Sequence, residues 1–255
     1  MFKNYSKNPI NMKIKRIIVI SVVLTLFCFN TYAQRDRDQR IPLIGSQAPA
    51  FKSSSTKGPV SFPEDFGKSW KILFAHPRDF TPVCSSEILE LAYRQDEFRE
   101  LGAQLLVISV DRMASHKSWK AELESIPYKG RNPVKIDFPF VVDSAAVISH
   151  SYGMIDSKTG SGQSIRGVFF VDPDNEIRAF HFYPSEVGRS TDEIVRTLKA
   201  LQAQRSRDNI VMPANWQPGD DVMIPILTKE DKEELQTPES KIHYINWYMI
   251  FRKQD

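Results

Sequence analysis

The hydrophobic positions along the chain fall into short continuous runs separated by longer stretches with helical spacing. KILFA (71–75), AQLLVISV (103–110) and FPFVVD (138–143) are apolar runs of strand length, the pattern of strands buried on both faces. Between them the period changes to 3.6. Ser85 to Leu101 sets Ile88, Leu89, Ala92, Phe98 and Leu101 along one stripe and stops at Gly102, SHKSWKAELESI (115–126) repeats the pattern, and SAAVISHSYG (144–153) closes at Gly153. Strands alternating with helices predict an α/β domain with parallel strand pairs.

Further on, GVFFV (167–171) and EIRAFHFY (176–183) flank Asp172-Pro173-Asp174-Asn175, a turn sequence that joins antiparallel neighbours. TDEIVRTLKALQAQR (191–205) then reads as a helix capped by Thr191 or Asp192. Upstream, IPLIGSQAPAF opens the compact region and KGPVSF (57–62) reads as a hairpin strand. From about Asp208 the composition shifts. MPANWQPGDDVMIPI is rich in Pro, Gly and Asp, KEDKEELQ is a charged helical stretch, and HYINWYMIF reads as a terminal aromatic strand. Residues 209–255 are too few to bury a core alone, so this arm is expected to pack on the main domain or on a second subunit. No internal repeat or low-complexity segment interrupts residues 34–208.

The N-terminus belongs to neither region. MKIKRIIVISVVLTLFCFNTYA (12–33) has a basic start at Lys13, Lys15 and Arg16, an apolar run from Ile17 to Phe29, and a small-residue cleavage site ending at Ala33. That is the build of a secretory signal, and the run is short for a bilayer that needs roughly 20 residues. Residues 1–33 are therefore expected to be removed on export, which places the protein in the periplasm or outside the cell with no stable membrane insertion. The cut takes five positive charges (Lys3, Lys7, Lys13, Lys15, Arg16) and no acidic ones from a formal balance of +3, leaving −2. A mildly acidic chain with no basic stripe argues against a nucleic-acid partner.

The same cut removes Cys28, one of two cysteines. A single remaining thiol, Cys84, is an intermolecular bridge, a reactive group or an inert buried residue. Its surroundings favour reactivity. Cys84 falls in the first turn of a helix, where unpaired N–H groups and the helix dipole favour an anion, the form in which a thiol attacks. Thr81 can aim a hydroxyl at the sulfur or at a bound oxygen, and Pro77 and Pro82 stiffen the loop. His76 lies on the entering strand, without the spacing of a cysteine-protease base.

FAHPRDFTPVCSSE closely resembles the active-site segment of the peroxiredoxins, P-x-x-x-T-x-x-C, with Pro77, Thr81 and Cys84 matching position for position. HPRDFTPVC together with the tail MPANWQPGDDVMIPI resembles the one-cysteine subfamily, and the likeness runs from about Ile44 to the end. The resemblance implies a thioredoxin-like fold with an N-terminal hairpin extension and a small C-terminal arm domain, which the element order accommodates. It implies a thiol-dependent peroxidase acting on hydrogen peroxide or organic hydroperoxides, with Cys84 as nucleophile passing through a sulfenic acid. Thr81 would hold the peroxide, Pro77 shield the sulfur, and Arg166 stabilise thiolate and developing charge. Glu87 and Arg189 match the supporting ion pair, and His76 a residue near the pocket. No cofactor or metal is implied. With no second cysteine in the exported chain, an external thiol must reduce the sulfenic acid, and the arm is expected to pack across a homodimer.

Two rival readings are weaker. A lipase serine in some one-cysteine members sits in G-x-S-x-G, but Gly67-Lys68-Ser69-Trp70-Lys71 lacks the last glycine and Pro63 stands where the partner histidine belongs, so Ser69 has neither elbow nor base. A non-catalytic redox sensor or holdase is the other. His116, His150, His181 and His243 lack metal-ligand spacing and read as structural or exposed. Trp70, Trp119, Trp216 and Trp247 read as core or interface aromatics.

Overall fold

A computed structural model describes residues 41–155 and 163–254; the expected signal sequence and Cys28 lie outside the described residues. Seven strands form one sheet in the order β2-β1-β5-β4-β3-β6-β7: β1 (Phe51–Ser55), β2 (Gly58–Phe62), β3 (Trp70–Ala75), β4 (Ala103–Ser109), β5 (Phe140–Val142), β6 (Arg166–Val171) and β7 (Ile177–Tyr183). β3, β4 and β5 pair in parallel, while β6 and β7 and the β1–β2 hairpin add antiparallel edges. Helices α1 (Pro82–Glu100), α2 (Met113–Leu123), α3 (Val147–Ser151) and α4 (Thr191–Ser206) supply the crossovers and the flank. This is the mixed α/β, thioredoxin-like architecture expected.

Side chains alternate along a strand, so the central strands feed two cores. Trp70, Ile72 and Phe74 of β3 pack with Val107, Phe140, Val168 and Phe170 against Ile88 and Leu91 of α1, Trp119 of α2 and Leu198 of α4. Leu73 and Ala75 point the other way and pack with Leu106, Ile108, Val141, Phe169 and Tyr152 under Phe62 of the hairpin.

Several boundaries move, each for a local reason. α1 starts at Pro82 rather than near Ser85, because proline's fixed φ and missing N–H suit the first helical position. α4 is capped by Ser190, whose Oγ accepts from Glu193 N at 3.2 Å, and not by Thr191 or Asp192. α3 covers only the middle of 144–153, since the Asp143 carboxylate takes the N–H groups of Ile148 and Ser149 and Ala146 sits at φ 56°. KGPVSF is a hairpin strand as expected, and its partner is β1.

In the arm, β8 (Val222–Met223), α5 (Lys229–Glu234), β9 (Ile242–Asn246) and β10 (Met249–Arg252) include a second sheet of order β8-β10-β9. The aromatic run is thus a hairpin and not one strand: Asn246 Oδ1 accepts from the N–H groups of Tyr248 and Met249 and turns the chain at Trp247. Ile210, Trp216 and Val222 pack on Ala200 and Ala203 of α4, which seats the arm on the main domain. No helix among the described residues is long and apolar enough to cross a membrane.

Candidate active site

β3 ends at Ala75, the loop 76–81 crosses the end of the sheet, and α1 starts beneath it. Thr81, extended at φ −113°, is the N-cap position, and Phe80 before it has φ 55°. The helix start makes Cys84 its third residue, one turn ahead of Glu87, and Cys84 is a free thiol, 0% exposed.

Arg166, the first residue of β6, reaches this turn from the sheet. Its Nη1 donates to Cys84 Sγ at 3.2 Å and to Glu87 Oε2 at 2.7 Å, while Nε and Nη2 donate to the Ser185 carbonyl at 2.9 and 2.6 Å. Arg189 approaches Glu87 from the loop before α4, donating from its backbone N and Nε to Oε1 (2.7 and 2.8 Å) and from Nη2 to Oε2 (2.9 Å). Its Nη1 donates to the Ala75 and Gly167 carbonyls, both at 2.8 Å, and its guanidinium stacks 3.3 Å above the Phe74 ring centre. All three charged side chains are buried.

Among the described residues the cluster sets two guanidinium groups on one carboxylate, and besides Glu87 and the Ser185 carbonyl Arg166 donates to the sulfur. Buried charge without a counter-charge is costly, and the sulfur lies within reach of this guanidinium at 3.2 Å. Burial pushes the Glu87 carboxyl up, but the hydrogen bonds and charge of Arg189, with Arg166 behind it, hold it below the usual carboxylate range. Burial pulls the Arg189 guanidinium down against the opposing pull of Glu87.

The model of the AhpC/TSA family matches residues 44–180, and that of the C-terminal domain of 1-Cys peroxiredoxin matches residues 200–237. A peroxiredoxin of Methanosarcina mazei is 39% identical over 216 residues, 84% of this chain and 98% of its own. The chain belongs to the AhpC/TSA family. It is a peroxiredoxin, a thiol-dependent peroxidase. Mitochondrial peroxiredoxin of Saccharomyces cerevisiae is 36% identical over 225 residues, 86% of this chain and 84% of its own. Among solved structures, the yeast mitochondrial 1-Cys peroxiredoxin superposes with a TM-score of 0.73 at 34% identity, covering 84% of this chain and 100% of that one. Peroxiredoxin 6 of Arenicola marina gives 0.74 at 29%, covering 84% and 99%.

Of the residues singled out from sequence, Cys84, Glu87, Arg166 and Arg189 form one hydrogen-bonded cluster. In this peroxiredoxin Pro77 is buried on the loop. Thr81 spends its hydroxyl proton on the Arg78 carbonyl at 2.9 Å, which leaves its oxygen lone pairs to accept from a bound molecule. His76 pairs with Asp79, its Nε2 3.0 Å from Oδ1. His116 is buried on the same carboxylate, its Nδ1 2.9 Å from Oδ2. Sequence reasoning missed Asp79, although it lies inside HPRDFTPVC, and the Ser185 carbonyl, which no side-chain pattern could reveal.

His76, Asp79 and Asp111 bring ligand atoms within 4.8 Å of one another, but both Asp79 oxygens are already taken by His76, His116 and Ser115. Ser69 lines a cleft of about 590 Å³ on the far side of the domain, whose lining among the described residues holds no histidine. Its Oγ accepts from Gln104 Nε2 at 3.0 Å, and Lys71 is buried in β3 with its ammonium on the Asp172 carbonyl and Asn175 Oδ1. Among the described residues, neither a histidine nor the Lys71 amine is placed to serve Ser69 as a base.

Proposed function

We propose that Cys84 is the peroxidatic nucleophile and that Arg166 is the cation that keeps it reactive. The carrying observation is the 3.2 Å contact from Arg166 Nη1 to Sγ, made by a guanidinium whose remaining donors are fixed on Glu87 and Ser185. The thiolate attacks the terminal oxygen of the peroxide, the S–O bond forms as the O–O bond breaks, and the leaving oxygen departs as water or an alcohol after taking a proton. Arg166 faces both the sulfur and the space where charge develops, and Thr81 accepts the peroxide O–H with its free lone pairs. Pro77 covers the loop side. The substrates are hydrogen peroxide and organic hydroperoxides.

The sulfenic acid returns to thiol in two steps: one external thiol displaces water to give a mixed disulfide, and a second releases Cys84 and leaves as the disulfide. In the yeast mitochondrial 1-Cys peroxiredoxin, thiol resolution runs through glutathione/thioredoxin systems, and an external thiol serves the same purpose here. The protein acts as a homodimer through its arm, after export with loss of residues 1–33; the support for export is the basic start, apolar run and Ala33 site in the sequence. N-terminal sequencing of protein recovered outside the cytoplasm, starting elsewhere than Gln34, would move the cut.

Stopped-flow tryptophan fluorescence tests the assignment, because Trp119 Nε1 donates to Ser85 Oγ at 3.2 Å, next to the reacting residue. Mixing with hydrogen peroxide is expected to give a fast stoichiometric change and one added oxygen on Cys84 by mass, both absent in Cys84→Ser. Arg166→Met is expected to slow it by about 10²- to 10³-fold. A wild-type rate no better than a free thiol, or an Arg166→Met rate equal to wild type, overturns the reading.

A further inference from the structure

Asp79 lies in the loop before α1, 3% exposed. Its carboxylate meets His76 Nε2 at 3.0 Å, His116 Nδ1 at 2.9 and 3.1 Å, and Ser115 Oγ, which donates at 2.8 Å. A carboxylate only accepts, so each ring turns an N–H toward it. Among the described residues the outer nitrogens, His76 Nδ1 and His116 Nε2, are buried without a partner, so both rings are held through Asp79. The Asp79 backbone N–H donates to Asp111 Oδ2 at 2.9 Å, and Ser109 Oγ donates to the same oxygen at 2.8 Å.

These bonds join the end of β3, the loop, the end of β4 and the first turns of α2. One turn further along α2, Trp119 donates to Ser85. α2 thus grips the chain on both sides of the turn that carries Cys84, at residue 79 before it and residue 85 within it. Between the grips sits Phe80 at φ 55°, a backbone conformation that a bulky residue keeps only where its surroundings over-determine it.

We propose that Asp79 is a positioning residue, a buried ionic latch through which α2 holds the loop 77–81 and the first turn of α1 closed around Cys84. The inference rests on Cys84 being the peroxidatic residue. The two half-reactions make opposite demands on the latch. Oxidation needs Thr81, Cys84 and Arg166 held together. Peroxide brings a small oxygen to a sulfur that is 0% exposed, whereas reduction must set a second, larger sulfur in line with it, so the closed loop must give way further. Loosening the latch therefore slows the first step without slowing the second, whereas a residue that merely supports the fold lowers both by the same fraction.

The test measures the steps separately on the purified protein: oxidation of the thiol by hydrogen peroxide, and reduction of the preformed sulfenic acid by dithiothreitol. Asp79→Asn is expected to oxidise about tenfold more slowly, the effect of weakening hydrogen bonds to a charged group, and to be reduced at least as fast as wild type. Ser115→Ala removes one partner, leaves no charge unpaired, and is expected to shift the two rates in the same directions by about two- to threefold; it decides the matter if Asp79→Asn fails to fold. Both rates falling together, or neither moving in Ser115→Ala, overturns the latch. A wild-type protein that gains no oxygen on Cys84 overturns the Cys84 assignment instead, so the two failures are distinguishable.

Discussion

Glu87 concentrates the electrostatics of the pocket on one carboxylate that accepts four hydrogen bonds from Arg166 and Arg189. Burial alone would raise its pKa, and the arginines overcome that and hold it below the ordinary carboxylate value. A carboxylate depressed in this way contributes stability that is fully present above its unfolded pKa, about 4.3, and is lost as pH falls through the lower folded value, because there the unfolded chain binds more protons. His76, depressed by burial, acts in the same sense at higher pH: its contribution is whole above about 6.5 and fades as the pH falls toward its lowered folded value. Urea unfolding between pH 3 and 8 is expected to show stability falling in these two windows. Glu87→Gln is expected to cost about 3–5 kcal/mol at pH 7 by leaving buried guanidinium groups unpaired, and to lessen the slope of the lower window, where Asp79 and other paired carboxylates also act, without touching the upper one. An unchanged acid limb in Glu87→Gln would mean that other carboxylates govern acid unfolding.

Arg166 is aimed by the position of β6, and that position depends on the residue after it. A Cβ on Gly167 would stand 2.6 Å from Met154 Sδ, 3.0 Å from its Cγ and 3.1 Å from the Phe182 ring, in a core where Met154 is fully buried. Gly167 also offers its carbonyl to Arg189. Gly167→Ala is expected to destabilise by about 1–3 kcal/mol through overpacking and to slow oxidation of Cys84 as β6 moves. Equal thermal stability and equal oxidation rate would show that Met154 yields and that β6 keeps its place. The strands around this site were readable because β3, β4 and β6 are continuous apolar runs, and a buried strand has no other signature. The start of α1 was not, since its apolar stripe begins at Ile88 while its first turn is set by Pro82. Ser190, Thr191 and Asp192 are all capable caps, and only the extended backbone at Ser190 chooses among them. The Trp247 turn was hidden because the apolar pattern runs through it and Asn246 alone makes the reversal. The cluster of Cys84 with Arg166 spans 82 positions, a separation that no periodicity reports, so it was legible only through resemblance to the peroxiredoxins. Asp79 escaped because its meaning lies in Ser115 and His116, which a different helix delivers.

At the scale of the whole molecule the arm has two faces with different needs. One is satisfied within the chain: Trp216 and its neighbours cover Ala200 and Ala203 of α4, and Ile224, Ile242 and Ile250 form a small core of their own. The other is the β9–β10 hairpin, where Tyr244, Ile245, Trp247 and Tyr248 stand clear of the chain, Trp247 at 86% exposure. Clustered exposed aromatics mark interaction surfaces more than they mark ordinary protein surface, and the proposed homodimer would supply the cover. The two faces can be separated by experiment. Truncation after Asp208 removes both, and is expected to give a poorly soluble monomer because α4 is uncovered as well. Replacing Trp247 and Tyr248 by serine removes only the second, and is expected to leave far-ultraviolet circular dichroism unchanged while raising the dimer dissociation constant in sedimentation by about tenfold or more, the scale of losing an aromatic anchor. Serine variants that dimerise like wild type, beside a truncation that is soluble and dimeric, would place the dimer contact outside the arm. The edge of the seven-stranded sheet at β7, past Ile177, which bonds to Gly45 and Ser46, would then be the surface to offer a second copy.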